Sequence, residues 1–159
     1  MADSIKTPPH SSEAEASVLG AILIDKDAII AVADFLRPEH FYDERNGKIF
    51  KAVLDLYEER SPVDIVTLSD RLKKNKDAAK TGGTAYLTEL IDSVPTSANA
   101  EKYGQIIKDF YLKRQLIASS SKIVEVSFDE GVSAFQALDK AESEIFSLSQ
   151  RHLKQSFTP

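Results

Sequence analysis

A long stretch without a helix breaker dominates the second half of this chain. From about Ala98 to Val126 only Gly104, near the start, interrupts it. At roughly 28 residues, one helix there would be about 42 Å long. The usual helix has about 11–12 residues, so this one should project beyond a compact head. Asp129-Glu130-Gly131 supplies a turn, and Ser133-Ala134-Phe135-Gln136 has the spacing of a capping box. Leu138, Ala141, Ile145 and Leu148 then recur at spacings of 3, 4 and 3, the rhythm of a helix packed lengthwise on another. The pattern predicts an antiparallel helical hairpin over residues 98–150.

The long helix has two apolar sides. Leu112, Leu116, Ser119, Ile123 and Val126 form one stripe; Tyr103, Ile106, Ile107, Phe110, Ile117 and Val124 form the other. They lie about 140° apart at 100° per residue. A returning helix covers only one of them. Around Ile117 to Val126 no further sequence is left to cover the second, and exposed apolar stripes mark interaction surfaces. The hairpin is therefore expected to meet another copy, a partner, or both. The bland alternative is a long helix buried within a single bundle.

Before the hairpin the chain reads as short helices. Ser12 and Glu15 fit a capping box, and Val18, Leu19, Ile22 and Leu23 follow at helical spacing, giving a first helix over 12–24. A second starts at Asp25 or Asp27, carries Ile29, Ile30, Val32, Ala33 and Leu36, and closes before Pro38. Ile49, Phe50, Val53, Leu54 and Tyr57 make an amphipathic face that ends at Ser61-Pro62. Val63-Asp64-Ile65-Val66 resembles a strand in isolation, but Leu68 and Leu72 favour a turn into a helix. Gly82-Gly83 breaks the chain, and Tyr86, Leu87, Leu90 and Ile91 build a short helix ending near Pro95. The expected fold is all-α: a flexible arm (1–9), a compact helical head (10–97), the protruding hairpin (98–150) and a tail (151–159).

No catalytic pattern emerges. A phosphate-binding loop needs Gly-x-x-x-x-Gly-Lys-[Ser/Thr]; around Gly47-Lys48, Tyr42 and Ile49 break it at both ends. His10, His40 and His152 have no helix-spaced ligand partners, so no zinc site is expected, and His40 reads as a packed or capping residue. Without cysteine there are no disulfides and no thiol chemistry. A net charge of −5 argues against strong autonomous DNA binding, which depends on cations displacing counterions. The one basic run, Arg71, Lys73, Lys74, Lys76 and Lys80, reads best as cations at a helix C-terminus. The triple serine, Ser119-Ser120-Ser121, suits close helix packing. No apolar run reaches membrane-spanning length. Catalytic, cofactor and metal residues are thus expected to be absent.

Several segments carry a resemblance in the same order along nearly the whole chain. They are Pro9-His10-Ser11-Ser12-Glu13-Ala14-Glu15, Phe41-Tyr42, Lys48-Ile49-Phe50 and Pro62-Val63-Asp64-Ile65-Val66-Thr67. Gly82-Gly83-Thr84-Ala85-Tyr86-Leu87, Val94 to Asn99, and Ala141-Glu142-Ser143-Glu144-Ile145-Phe146 follow. Together they resemble the amino-terminal region of bacterial replicative DNA helicases of the DnaB type. The resemblance implies a non-catalytic collar domain of a cytoplasmic hexameric helicase, one that receives the carboxy-terminal domain of primase. Any ATP and magnesium would belong to a RecA-like motor outside this stretch, with Phe157-Thr158-Pro159 where the linker to it begins. On that footing, Tyr86, Ile117 and Ile123 are expected to influence primase affinity, while Leu112, Leu116, Ile123 and Val124 are expected between copies. The competing reading is a stand-alone helical adaptor; a reading frame continuing past Pro159 into a phosphate-binding loop would decide between them.

Overall fold

Three helices of the first hundred residues start at a side-chain cap that the sequence encodes. The computed structural model describes residues 6–94 and 99–156, all helices, turns and connections, with no strand among them. Residues 1–5, Pro95 to Ala98 and Phe157-Thr158-Pro159 lie outside the described residues, including the proline expected to end the fifth helix and the expected linker start.

Helix α1 spans Ser12–Ile24. Its cap is Ser11, whose Oγ accepts from the Ala14 N–H at 3.0 Å, so the box expected at Ser12 and Glu15 does not form. Glu15 turns inward and is 2% exposed. Helix α2 is shorter than expected, Ala28–Val32. The chain leaves the α conformation well before Pro38, with Arg37 extended ahead of the proline ring, and Ile30 stays exposed. Pro38–His40 forms one 3-10 turn, closed by buried His40, whose Nδ1 accepts from the Arg37 N–H at 3.0 Å.

Helix α3, Glu44–Glu58, is capped by Asp43 and buries Ile49, Phe50 and Val53. It ends where Arg60 adopts a left-handed conformation and the Ser61 N–H reaches back to the Leu56 carbonyl at 2.9 Å. The β-branched run at residues 63–66 becomes the start of α4, Ile65–Lys74. Asp64 and Thr67 cap it reciprocally at 2.9 and 3.0 Å. Its last turn carries Arg71, Lys73 and Lys74; Arg71 also bonds Glu59 at 2.6 Å. Gly82 and Gly83, both at positive φ, admit the turn into α5, Gly83–Ser93.

Helix α6 runs Ala100–Phe128, 29 residues, and α7 runs Ala134–Ser156. By its contacts the chain forms two units, one of His10–Tyr111 and the other of Leu112–Pro159 with Met1–Pro9. The first turns of α6 therefore belong to the first unit, and Ala100 and Ile107 join its core.

In that unit α1 packs most extensively on α5, and α3 on α4. Val18, Leu19, Ile22, Ile49, Phe50, Leu68, Leu72 and Leu87 are 0–1% exposed. Each such side chain contributes about 1.5–3 kcal/mol by leaving water. Gly104 lets α6 approach α2, since a Cβ there would stand 3.0 Å from both Val32 and Phe35.

In the second unit α7 returns antiparallel to α6. The Asp129-to-Ser133 turn connects them, and Lys122 reaches Glu144 at 3.9 Å. The expected box caps α7: Gln136 N–H donates to Ser133 Oγ at 3.1 Å, and Ser133 N–H to Gln136 Oε1 at 2.9 Å. The seam differs from the expected one. Leu148 and Ser119 are buried and Ala137, Ala141 and Glu144 half-buried, but Leu138 and Ile145 are 56% and 39% exposed. The buried edge of α7 therefore runs through Ala137, Ala141, Glu144 and Leu148, with the bulkier Leu138 and Ile145 beside it.

Candidate interaction surfaces

The first unit holds a polar cluster built from three helices. On α1, Glu15 shares the face of Val18, Leu19 and Ile22. On α3, Asn46 shares the face of Ile49, Phe50 and Val53. Both polar side chains are thus carried inside by apolar neighbours at helical spacing. Glu15 Oε2 accepts from the Tyr42 N–H at 2.8 Å, and Oε1 from the Asp43 N–H at 3.3 Å and Asn46 Nδ2 at 3.0 Å. The carboxylate therefore sits at the positive end of α3. On α5, the Tyr86 hydroxyl donates to Asn46 Oδ1 at 2.7 Å.

The outer side of the cluster is charged. The Arg45 guanidinium lies 4.2 Å from the centre of the Tyr86 ring. It also grips Asp43 with two nitrogens, at 2.9 to 3.3 Å. That hydrogen bonding holds the Asp43 carboxyl below the usual carboxylate range and raises Arg45 in turn. Burial pushes the Tyr86 phenol up, with the nearby Arg45 charge opposing. His10 stacks on Tyr42 with ring centres 3.9 Å apart. Tyr86 is thus half-buried with its hydroxyl turned to Asn46. The sequence reading places Glu15 in a capping box and gives Asn46 and Arg45 no role. The signal for the first two was present in their membership of apolar stripes.

The second unit offers two apolar faces. On α6, Ile117, Val124 and Phe128 recur at spacings of 7 and 4 and are 53%, 55% and 82% exposed. Leu112 and Ile123 are half-buried, while Leu116 stays exposed. On α7, Phe135, Leu138, Ile145 and Phe146 stand exposed. An open groove of about 820 Å³ lies at Ile145 and Phe146, lined also by Ala141, Glu142 and Ser149. The sequence-selected residues are therefore not one constellation: Tyr86 belongs to one unit, and Leu112, Leu116, Ile117, Ile123 and Val124 to the other.

Among the described residues no group of three or more His, Asp or Glu is placed to hold a metal ion. No described helix is long and apolar enough to cross a membrane.

Residues 7–109 match the model of the DnaB-like helicase N terminal domain. The chain belongs to the DnaB family. Replicative DNA helicase DnaB of Rhodothermus marinus is 38% identical over 151 residues, covering 95% of this chain and 16% of the relative. That of Geobacillus stearothermophilus is 37% identical over 148 residues, covering 93% and 33%. The chain thus spans a third or less of these DnaB relatives. The crystal structure of the N-terminal domain of DnaB helicase from Mycobacterium tuberculosis is similar at a TM-score of 0.82 and 36% identity, covering 89% of this chain and 99% of that one. A DnaB-like replicative helicase, described with its interactions with primase, is similar at a TM-score of 0.72 and 27% identity, covering 87% of this chain and 31% of that one. Residues beyond 109 lie outside the family-model match, but the alignments to whole DnaB sequences extend over nearly all of the chain.

Proposed function

We propose that this chain is the non-catalytic collar domain of a hexameric, cytoplasmic replicative helicase. It pairs with further copies through the hairpin and docks the carboxy-terminal domain of primase at the replication fork. ATP and magnesium are the business of the full protein's motor. The observation that carries this reading is the pair of apolar faces on the hairpin, Ile117–Val124–Phe128 on one helix and Phe135–Leu138–Ile145–Phe146 on the other. Exposed apolar faces of this kind mark interaction sites, and two faces can serve two contacts. Leu112, Leu116, Ile123 and Val124 are proposed for contact between copies, with Leu116 and Val124 the more accessible. Tyr86, Ile117 and Ile123 are proposed to set primase affinity.

Mass measurement in solution, with and without the primase carboxy-terminal domain, tests both halves. The expected result is a concentration-dependent dimer or larger species that binds primase. Val124→Asp with Phe146→Asp should shift it to monomer at unchanged helical content, since both side chains are exposed. A chain that stays monomeric at high concentration and ignores primase would end the proposal.

A further inference from the structure

Chemistry dictates the direction of every bond in the cluster under Tyr86. Glu15 meets three N–H donors, from Tyr42, Asp43 and Asn46. An ionised carboxylate only accepts. Asn46 must therefore turn Nδ2 towards Glu15, which leaves Oδ1 towards Tyr86. An amide oxygen only accepts as well, so the Tyr86 hydroxyl is the donor at 2.7 Å. Had Asn46 the opposite orientation, its oxygen would face the carboxylate oxygens, a repulsive contact in a buried site. The proton arrangement at Tyr86 is thus set two residues away by a carboxylate that is 2% exposed.

Such burial is costly for a carboxylate, and an apolar residue at position 15 would continue the stripe of Val18, Leu19 and Ile22 without that cost. What Glu15 adds is direction. It ties α1 to the start of α3, and through Asn46 to α5, over sequence separations of 31 and then 40 residues. Arg45 closes the other side of the ring. The ring is clamped between an inner hydrogen bond and an outer guanidinium, so its orientation on the surface is fixed.

We propose that Glu15, acting through Asn46, is a positioning residue for Tyr86, holding the hydroxyl as a donor into the unit and the ring at one angle for the partner that docks on α5. This rests on the docking reading given above. Glu15 and Asn46 touch no partner in this scheme; they act only by what they do to Tyr86.

The test uses Glu15→Gln, which keeps size and shape and removes the obligation to accept. Two readouts are followed on the whole chain: the Tyr86 ring-carbon resonance in ¹³C-tyrosine-labelled protein, and affinity for the primase carboxy-terminal domain. Expected are a shifted Tyr86 resonance, roughly tenfold weaker binding and unchanged helical content. Tyr86→Phe should lose a similar factor, and the double variant should lose no more than Tyr86→Phe alone, because the two residues act as one unit. If Glu15→Gln does not fold, Asn46→Ser breaks the same relay while leaving the backbone donors to Glu15 in place. An unmoved Tyr86 resonance overturns the proposal. So does full affinity in Glu15→Gln beside weakened binding in Tyr86→Phe. If Tyr86→Phe and Tyr86→Ala both bind like the parent, the docking reading of Tyr86 has failed instead, and the resonance alone decides the positioning.

Discussion

Gly20 on α1 lies flush against the Leu90 carbonyl of α5. A Cβ at position 20 would overlap that oxygen and the Val94 side chain. A backbone carbonyl cannot rotate aside as a side-chain tip can. Gly20→Ala gains up to about 1 kcal/mol of helix propensity, but it must push apart the most extensive helix pair of the first unit. Overpacking of this kind costs about 1–3 kcal/mol or more, so the overlap outweighs the gain. A lowered urea midpoint is expected; an unchanged or raised one would mean that α1 and α5 part freely.

Asp43 links stability to acidity. Its folded-state pKa is depressed, chiefly by the hydrogen bond from Arg45. Its contribution is therefore present above the unfolded value of about 3.9 and is lost as pH falls through the lower folded value. The effect is modest, because the two side chains are 34% and 47% exposed and solvent screens them. Asp43→Asn keeps a good cap for α3 while removing the charge. Denaturation midpoints followed from about pH 6 to about pH 2 should fall less steeply in the variant than in the parent.

Leu148 and Ile117 separate the seam of the hairpin from its outer face. Leu148 is 3% exposed and Ile117 is 53% exposed. Leu148→Ala should cost about 2–5 kcal/mol, whereas Ile117→Ala should stay within about 0.5 kcal/mol of the parent. Guanidinium titration of both variants checks this. Equal losses would place Ile117 in a packed seam and undermine its use as a docking residue.

Ser133 starts α7 through its bond from the Gln136 N–H. Ser133→Ala should destabilise by about 1 kcal/mol, and amide exchange should quicken first in the opening turn of α7. Protection that stays unchanged there would show that the box adds nothing to packing against α6.

Much of this was readable locally. Ser133 and Gln136, or Gly82 and Gly83, act within a few residues of themselves, so their pattern suffices to place a boundary. The same holds for the two stripes of α6, whose separation follows from the helical period alone. Glu15 satisfies two patterns at once. Its spacing from Ser12 fitted a capping box, and its spacing from Val18 and Ile22 fitted the core. The second prevailed because α3 brought donors from Tyr42, Asp43 and Asn46 to a buried carboxylate, and Ser11 was free to cap instead.

The seam on α7 shows the same division. Leu138, Ala141, Ile145 and Leu148 were a sound apolar series, but hydrophobic spacing does not say which edge of a wide stripe a neighbour will take. Burial on α7 falls on Ala137, Ala141, Glu144 and Leu148, and Leu138 and Ile145 stay outside. The helices, most of their ends, the family and the lack of a phosphate-binding loop are legible along the chain, because each depends on residues close together or on ordered motifs. Which polar groups go inside and which apolar faces stay out is settled in the folded packing, because those choices depend on what distant segments bring to the same place.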